Sequence, residues 1–134
     1  MIGKAINSIL INDATVKTIT TRCFPFVKIP QNPTYPFITY SVFGRGENAL
    51  RGPSGKENSR VQIDLWVQET ANSEAGYSNL RALSKAVKSV LGGYSGTVAG
   101  VTVSSILFIS DFEQKESEVN ALRIIADYSV WYTI

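Results

Sequence analysis

Four carboxylates crowd into one stretch, Asp111, Glu113, Glu116 and Glu118, relieved only by Lys115. Paired acids can trade protons with a substrate when one is buried and its pKa is raised. Here they sit in a polar run, which reads as a turn whose acids face solvent. Cys23 is the single cysteine and lies between arginine and phenylalanine, with Phe26 close by. It reads as a small buried hydrophobe rather than a nucleophile. The chain has no histidine, so neither a Cys–His nor a Ser–His pair can be assembled. Gly44-x-Gly46 lacks the continuation of a dinucleotide loop, no phosphate-cradling Walker run occurs, and no metal-ligand spacing is present. These residues predict no catalysis, no cofactor and no metal.

The bulk properties agree with a binding or structural role. The 134 residues suit a single domain, 1–134, large enough to bury a core without staples. A hydrophobic fraction of 44% and a charged fraction of 18% are ordinary for a globular protein. A net charge of +2 does not by itself argue for nucleic acid. No apolar run approaches the roughly 20 residues that cross a bilayer, and Met1–Lys4 does not open a secretory signal. A lone cysteine excludes an internal disulfide and fits a reducing compartment, so a cytoplasmic product without a membrane is expected.

The elements that would carry any site are organised around residues 58–91. From Ser59 to Gln68, Val61, Ile63, Leu65 and Val67 alternate with Arg60, Gln62, Asp64, Trp66 and Gln68, the period of a strand with one face on a core. Asn72 can cap a helix, with Glu74 near its positive end. Tyr77, Leu80, Leu83, Val87, Val90 and Leu91 recur at helical spacing, and Gly92-Gly93 ends the run. Arg81, Lys85 and Lys88 lie on the opposite, outward side of this helix. Upstream, Ile2, Ala5, Ile6, Ile9 and Leu10 predict a short amphipathic helix, and Asp13 can cap a second turn carrying Val16 and Ile19. Pro25, Pro30, Pro33 and Pro36 mark residues 23–36 as an extended connector or edge strand. Residues 37–43 and 119–134 read as strands, the latter with Leu122, Ile124, Ala126, Tyr128, Val130, Tyr132 and Ile134 in one row. Residues 101–110 are strand-like, with Val101, Val103, Leu107 and Ile109 among serines and threonines. The expected fold is α+β, a mostly antiparallel sheet with one long helix laid across it and a short N-terminal helix.

Two features point to assembly. Trp66 and Trp131 fall on the rows opposite the apolar ones. If the two strands are neighbours, that face also gathers Arg60, Asp64, Arg123, Ile125 and Asp127, an apolar patch with a charged rim. Coverage by a second layer, such as the first helix, would remove the patch. Charge is also divided along the chain, +4 over residues 22–60 and −3 over residues 111–127, which would suit head-to-tail contacts between copies. Gly44, Gly46, Gly52, Pro53 and Gly55 argue against regular structure in residues 44–58, predicting a mobile loop that carries Arg45, Glu47, Leu50, Arg51 and Lys56.

The order and spacing carry a resemblance. A helix and a Pro-rich connector lead into Pro33-Thr34-Tyr35-Pro36-Phe37-Ile38-Thr39-Tyr40; a glycine-rich gap precedes Arg60-Val61-Gln62-Ile63-Asp64-Leu65-Trp66; a long helix precedes Tyr128-Ser129-Val130-Trp131-Tyr132. This resembles the small tail completion, or tail terminator, proteins of long-tailed bacteriophages. The resemblance implies a structural virion protein, not an enzyme, forming a hexameric ring that caps the tail tube, ends its polymerisation and joins the tail to the head. Its implied partners are further copies of itself, the tail tube protein and a neck or head-completion protein. DNA would pass through the bore without sequence-specific binding. The protein would be found in the host cytoplasm during assembly and in the virion tail afterwards. On this reading the 44–58 loop reaches the tube or bore, with Arg45, Arg51 and Lys56 meeting acidic partner groups. Alternative readings are another head–tail connector component, such as a head-completion or stopper protein, or a small nucleic-acid-binding module using the basic helix face and the loop.

Overall fold

The computed structural model describes residues 2–49, 53–68 and 75–133, with 44–49, 53–55 and 75 described at the level of the backbone. In chain order the elements are α1 (Ile2–Asn12), α2 (Ala14–Lys17), β1 (Cys23–Pro25), a 3-10 turn (Phe26–Lys28), β2 (Phe37–Ala49), β3 (Pro53–Gln68), α3 (Ala75–Leu91), β4 (Gly96–Val98), β5 (Val101–Glu116), a second 3-10 turn (Ser117–Val119) and β6 (Ala121–Thr133). The strands form one six-stranded sheet in the order β1-β2-β3-β6-β5-β4. Every neighbouring pair is antiparallel except β1 beside β2. The fold is the expected α+β one.

The strand periodicity places the core where the sequence predicts it. Val61, Ile63, Leu65 and Val67 of β3 and Ile124, Ala126, Tyr128, Val130 and Tyr132 of β6 are all buried on one face. Both helices cover that same face. Leu80, Leu83, Val87 and Leu91 of α3 and Ile2, Ala5, Ile6, Ile9 and Leu10 of α1 join the strand residues in one cluster. Each such Leu or Ile contributes about 1.5–3 kcal/mol on leaving water. Asp13 caps α2 through Oδ2, which accepts from Thr15 N (3.1 Å) and Val16 N (3.0 Å). Gly93, at φ +79°, closes α3 in the left-handed region, where a Cβ would be strained. Asn72 and Glu74, the expected start of that helix, lie outside the described residues.

Four expectations are corrected. The 44–58 segment is not an irregular loop along its length. β2 continues to Ala49 and β3 begins at Pro53, paired through Arg45↔Ser59, Gly46↔Asn58, Glu47↔Glu57 and Ala49↔Pro53. A register shift between Phe43 and Arg45 falls at Gly44 and another between Glu47 and Ala49 falls at Asn48, as bulges do, while Gly46 stays in register opposite Asn58. Leu50 and Arg51 lie outside the described residues. The acidic run is likewise no turn: Asp111, Glu113 and Glu116 belong to β5, and only Glu118 sits in the turn that follows. Tyr77 leaves the core stripe, 45% exposed, with its hydroxyl turned to the Glu113 carboxylate; Ala86 is buried on that stripe. In β5, shifts between Val103 and Ser105 and between Phe108 and Ser110 reset the alternation. Val101, Val103 and Ile106 therefore face the core, while Leu107 and Ile109 do not.

Candidate assembly surface

The face of the sheet away from the helices is built by the polar rows of β3 and β6, which are direct neighbours. Register places Trp66 opposite Arg123, Asp64 opposite Ile125, Gln62 opposite Asp127 and Asn58 opposite Trp131. The seven residues predicted to share a patch therefore do share one face. Neither helix covers it.

One end of this face is closed by the chain itself. The connector folds over it, pinned by Arg22, whose Nε donates to Thr34 O (2.9 Å) and Pro36 O (3.2 Å). Phe37 then stacks on Trp66 with ring centroids 5.6 Å apart and planes 9° from parallel. Trp66 Nε1 donates to Thr39 Oγ1 at 3.1 Å. The Arg123 guanidinium lies 4.5 Å from the Trp66 ring centroid and 5.8 Å from that of Phe26, a cation held between aromatic faces. It also bonds the carboxylates of Asp64 and, at 3.1 Å, Glu116. Asp64 is only 1% exposed and takes a second bond from Gln62 Nε2 at 3.0 Å. Burial pushes its carboxyl upward, against the opposing pull of Arg123 and Gln62. Asp64 and Ile125 are buried, and Trp66 and Arg123 are engaged internally.

The remainder of the face is open. Arg60 Nη2 pairs with Asp127 Oδ2 at 2.9 Å, and Trp131 stays partly exposed beside Asn58. Phe43, Leu107 and Phe112, at 48%, 56% and 55% exposure, extend the patch beyond the residues that sequence reasoning selected. They were missed because their rows depend on strand order and bulges, which no local pattern encodes. Among the residues assigned to the 44–58 segment, Arg45 and Glu47 stand on the hairpin arm and Lys56 pairs with Thr133 at the end of β6.

Cys23 packs against the core, and burial pushes its thiol up to about 12, far from a reactive thiolate. Among the described residues no three His, Cys, Asp or Glu side chains gather as a metal site, and no helix is long and apolar enough to cross a membrane.

Comparison with known proteins fits this arrangement. The model of the family described as "Tail completion protein gp17" matches residues 4–133. The chain belongs to that family. A chain of the solved structure titled "Virion of native gene transfer agent (GTA) particle" has the same fold. Its TM-score is 0.73 at 14% identity, covering 98% of this chain and 94% of that one. No curated protein sequence matches. This tail completion protein is thus a structural component of a phage-like tail, and its family is not an enzymatic one.

Proposed function

We propose that this tail completion protein assembles into a ring that caps the tail tube, ends tube polymerisation and presents the joining surface for the head or neck. The observation that carries the reading is the extent of the family match, residues 4–133, which leaves almost none of the chain for another task. The sheet supports it physically. One face holds the helices, while the other leaves Phe43, Leu107, Phe112 and the Arg60–Asp127 pair in water. An exposed apolar patch with a charged rim is the form of a subunit contact.

In this reading the open face and its margins join one copy to the next. Asp64, Trp66, Arg123 and Ile125 support the contact from beneath, and Arg60, Asp127 and Trp131 meet the neighbour. The β2–β3 ribbon runs past the end of β6, whose Thr133 pairs with Lys56, and so projects beyond the sheet. That ribbon is the part placed to reach the tube or bore, with DNA passing through without base-specific contacts. Tail tube protein and a neck or head-completion protein are the partners on the two sides of the ring.

Light-scattering mass across a concentration series, followed by imaging with purified tail tubes, tests the reading. Rings, either free or seated on tube ends, are expected. A protein that stays monomeric alone and leaves tube ends bare would overturn it.

A further inference from the structure

We infer that the outward face of α3 forms the wall of the bore, where Arg81, Lys85 and Lys88 hold the sugar-phosphate backbone of the DNA that passes through. This rests on the ring reading above and names the surface of each copy that meets DNA.

The sequence of α3 sets the charge. Its residues Ala75–Leu91 include three cations and no acid. The cations stand at i, i+4 and i+7, so they share one side of the helix. That side points away from Leu80, Leu83, Val87 and Leu91 in the core, and all three cations are exposed. With Ser84 and Ser89 they line an open cleft that reaches Asp111 of β5. Lys88 is held there, 3.3 Å from the Asp111 carboxylate and 4.4 Å from the Phe108 ring centroid. Arg81 and Lys85 have no carboxylate partner among the described residues. The other acids at the margins are engaged elsewhere: Glu113 accepts from the Tyr77 hydroxyl, and Asp13 caps α2. The cleft keeps a surplus of positive charge.

The occupant follows from what this face lacks. Between Ser78 and Ser89 every exposed side chain is a cation, a serine, an asparagine or an alanine. The centre of a protein–protein contact is apolar and aromatic and is poor in lysine. The opposite sheet face, with Phe43, Leu107 and Phe112 in water, has that character; α3 does not. Cations beside small hydroxyl and amide donors are instead the groups that grip phosphate oxygens. Spacing agrees. At about 1.5 Å per residue the three cations span about 10 Å of helix, and over that axial length one DNA strand presents about three phosphates. Contacts of this kind carry no base information and let protein and duplex slide past each other, as a conduit requires.

The test measures fluorescence anisotropy of short labelled duplexes of two unrelated sequences with the full chain, over a series of salt concentrations. Equal affinity for both is expected, with log affinity falling against log salt at a slope of about −2.7 for three phosphates. Arg81→Glu combined with Lys85→Glu changes only exposed, unpaired side chains, so Tm and assembly mass should match wild type. Duplex affinity of that variant should fall at least about tenfold and the slope should shrink to about −1. A labelled poly-glutamate peptide is the second probe and should bind more weakly than the duplex. Wild type that leaves the duplexes free, a variant that binds them like wild type, or poly-glutamate bound as tightly as DNA would overturn the inference while leaving the ring intact. Wild type that never assembles, alone or on tubes, would instead remove the ring and the bore with it.

Discussion

Arg123 Nη2 meets Asp64 Oδ2 at 2.5 Å from the neighbouring strand, and the same guanidinium lies 4.5 Å from the Trp66 ring centroid. The pair joins β6 to β3 beneath the folded connector, where Asp64 has almost no contact with water. A buried pair of this kind adds little over an apolar replacement, yet breaking it strands a charge. Arg123→Met should cost about 3–5 kcal/mol at neutral pH in denaturant unfolding.

The pH dependence of that variant has a definite sign. Asp64 is already raised above its ordinary 3.8 by burial, and Arg123, more than Gln62, opposes that rise. Without Arg123 the folded state binds the Asp64 proton more tightly still. Stability then rises as pH falls through the raised folded pKa towards the unfolded one. The gap between Arg123→Met and wild type should therefore narrow on acidification towards about pH 4. A gap constant from pH 7 to pH 4 would show that Asp64 is not the charge left behind.

Cys23 gives a simpler titration. With its thiol pushed to about 12, almost none is thiolate at pH 8. Modification by a disulfide reagent should be slower in the folded chain than in the unfolded one by on the order of a thousandfold. Comparable rates would place the thiol in water.

The faces of the chain were legible in its sequence, whereas its edges were not. Alternation in β3 and β6 predicted which residues meet the helices, because burying one face of a strand imposes a period of two. The same alternation placed Trp66, Trp131 and their charged neighbours together on the far face. The hairpin arm was hidden because Gly44 sits at a bulge and Pro53 and Gly55 at the start of β3, where a strand tolerates them, and Gly46 is carried in the ladder opposite Asn58. β5 was misread beyond Ile106 because two register shifts change which parity faces inward. The closure of Asp64 and Arg123 under the connector depends on Arg22 and three carbonyls twelve to fourteen residues away, Thr34, Tyr35 and Pro36. No local pattern carries that contact.

The open part of the outer face can be separated from the closed part by mutation. Arg60 is more than half exposed and its bond to Asp127 is a surface one, worth about 0–1 kcal/mol to the fold. Arg60→Asp should leave Tm within about 2 °C, since surface changes stay near ±0.5 kcal/mol. It should nevertheless weaken assembly by placing two acids together at the contact. Assembly mass equal to wild type would remove Arg60 from the interface.

The projecting ribbon allows a deletion. Removing residues 47–55 joins Gly46 to Lys56 and leaves Lys56-Glu57 as a two-residue turn between Gly46 and Asn58, which are already paired. The sheet from Asn58 onward is untouched, so the fold should persist with wild-type circular dichroism. Tails made with this variant should lose their fixed length. Normal lengths would take the ribbon out of the mechanism.

The most direct measurement of the central claim is the length distribution of tail tubes assembled with and without this protein, read by electron microscopy. Addition of the wild-type chain should stop growth and leave one copy-ring at one end of each tube. Tubes that elongate equally in its presence, with no density at their ends, would contradict the account.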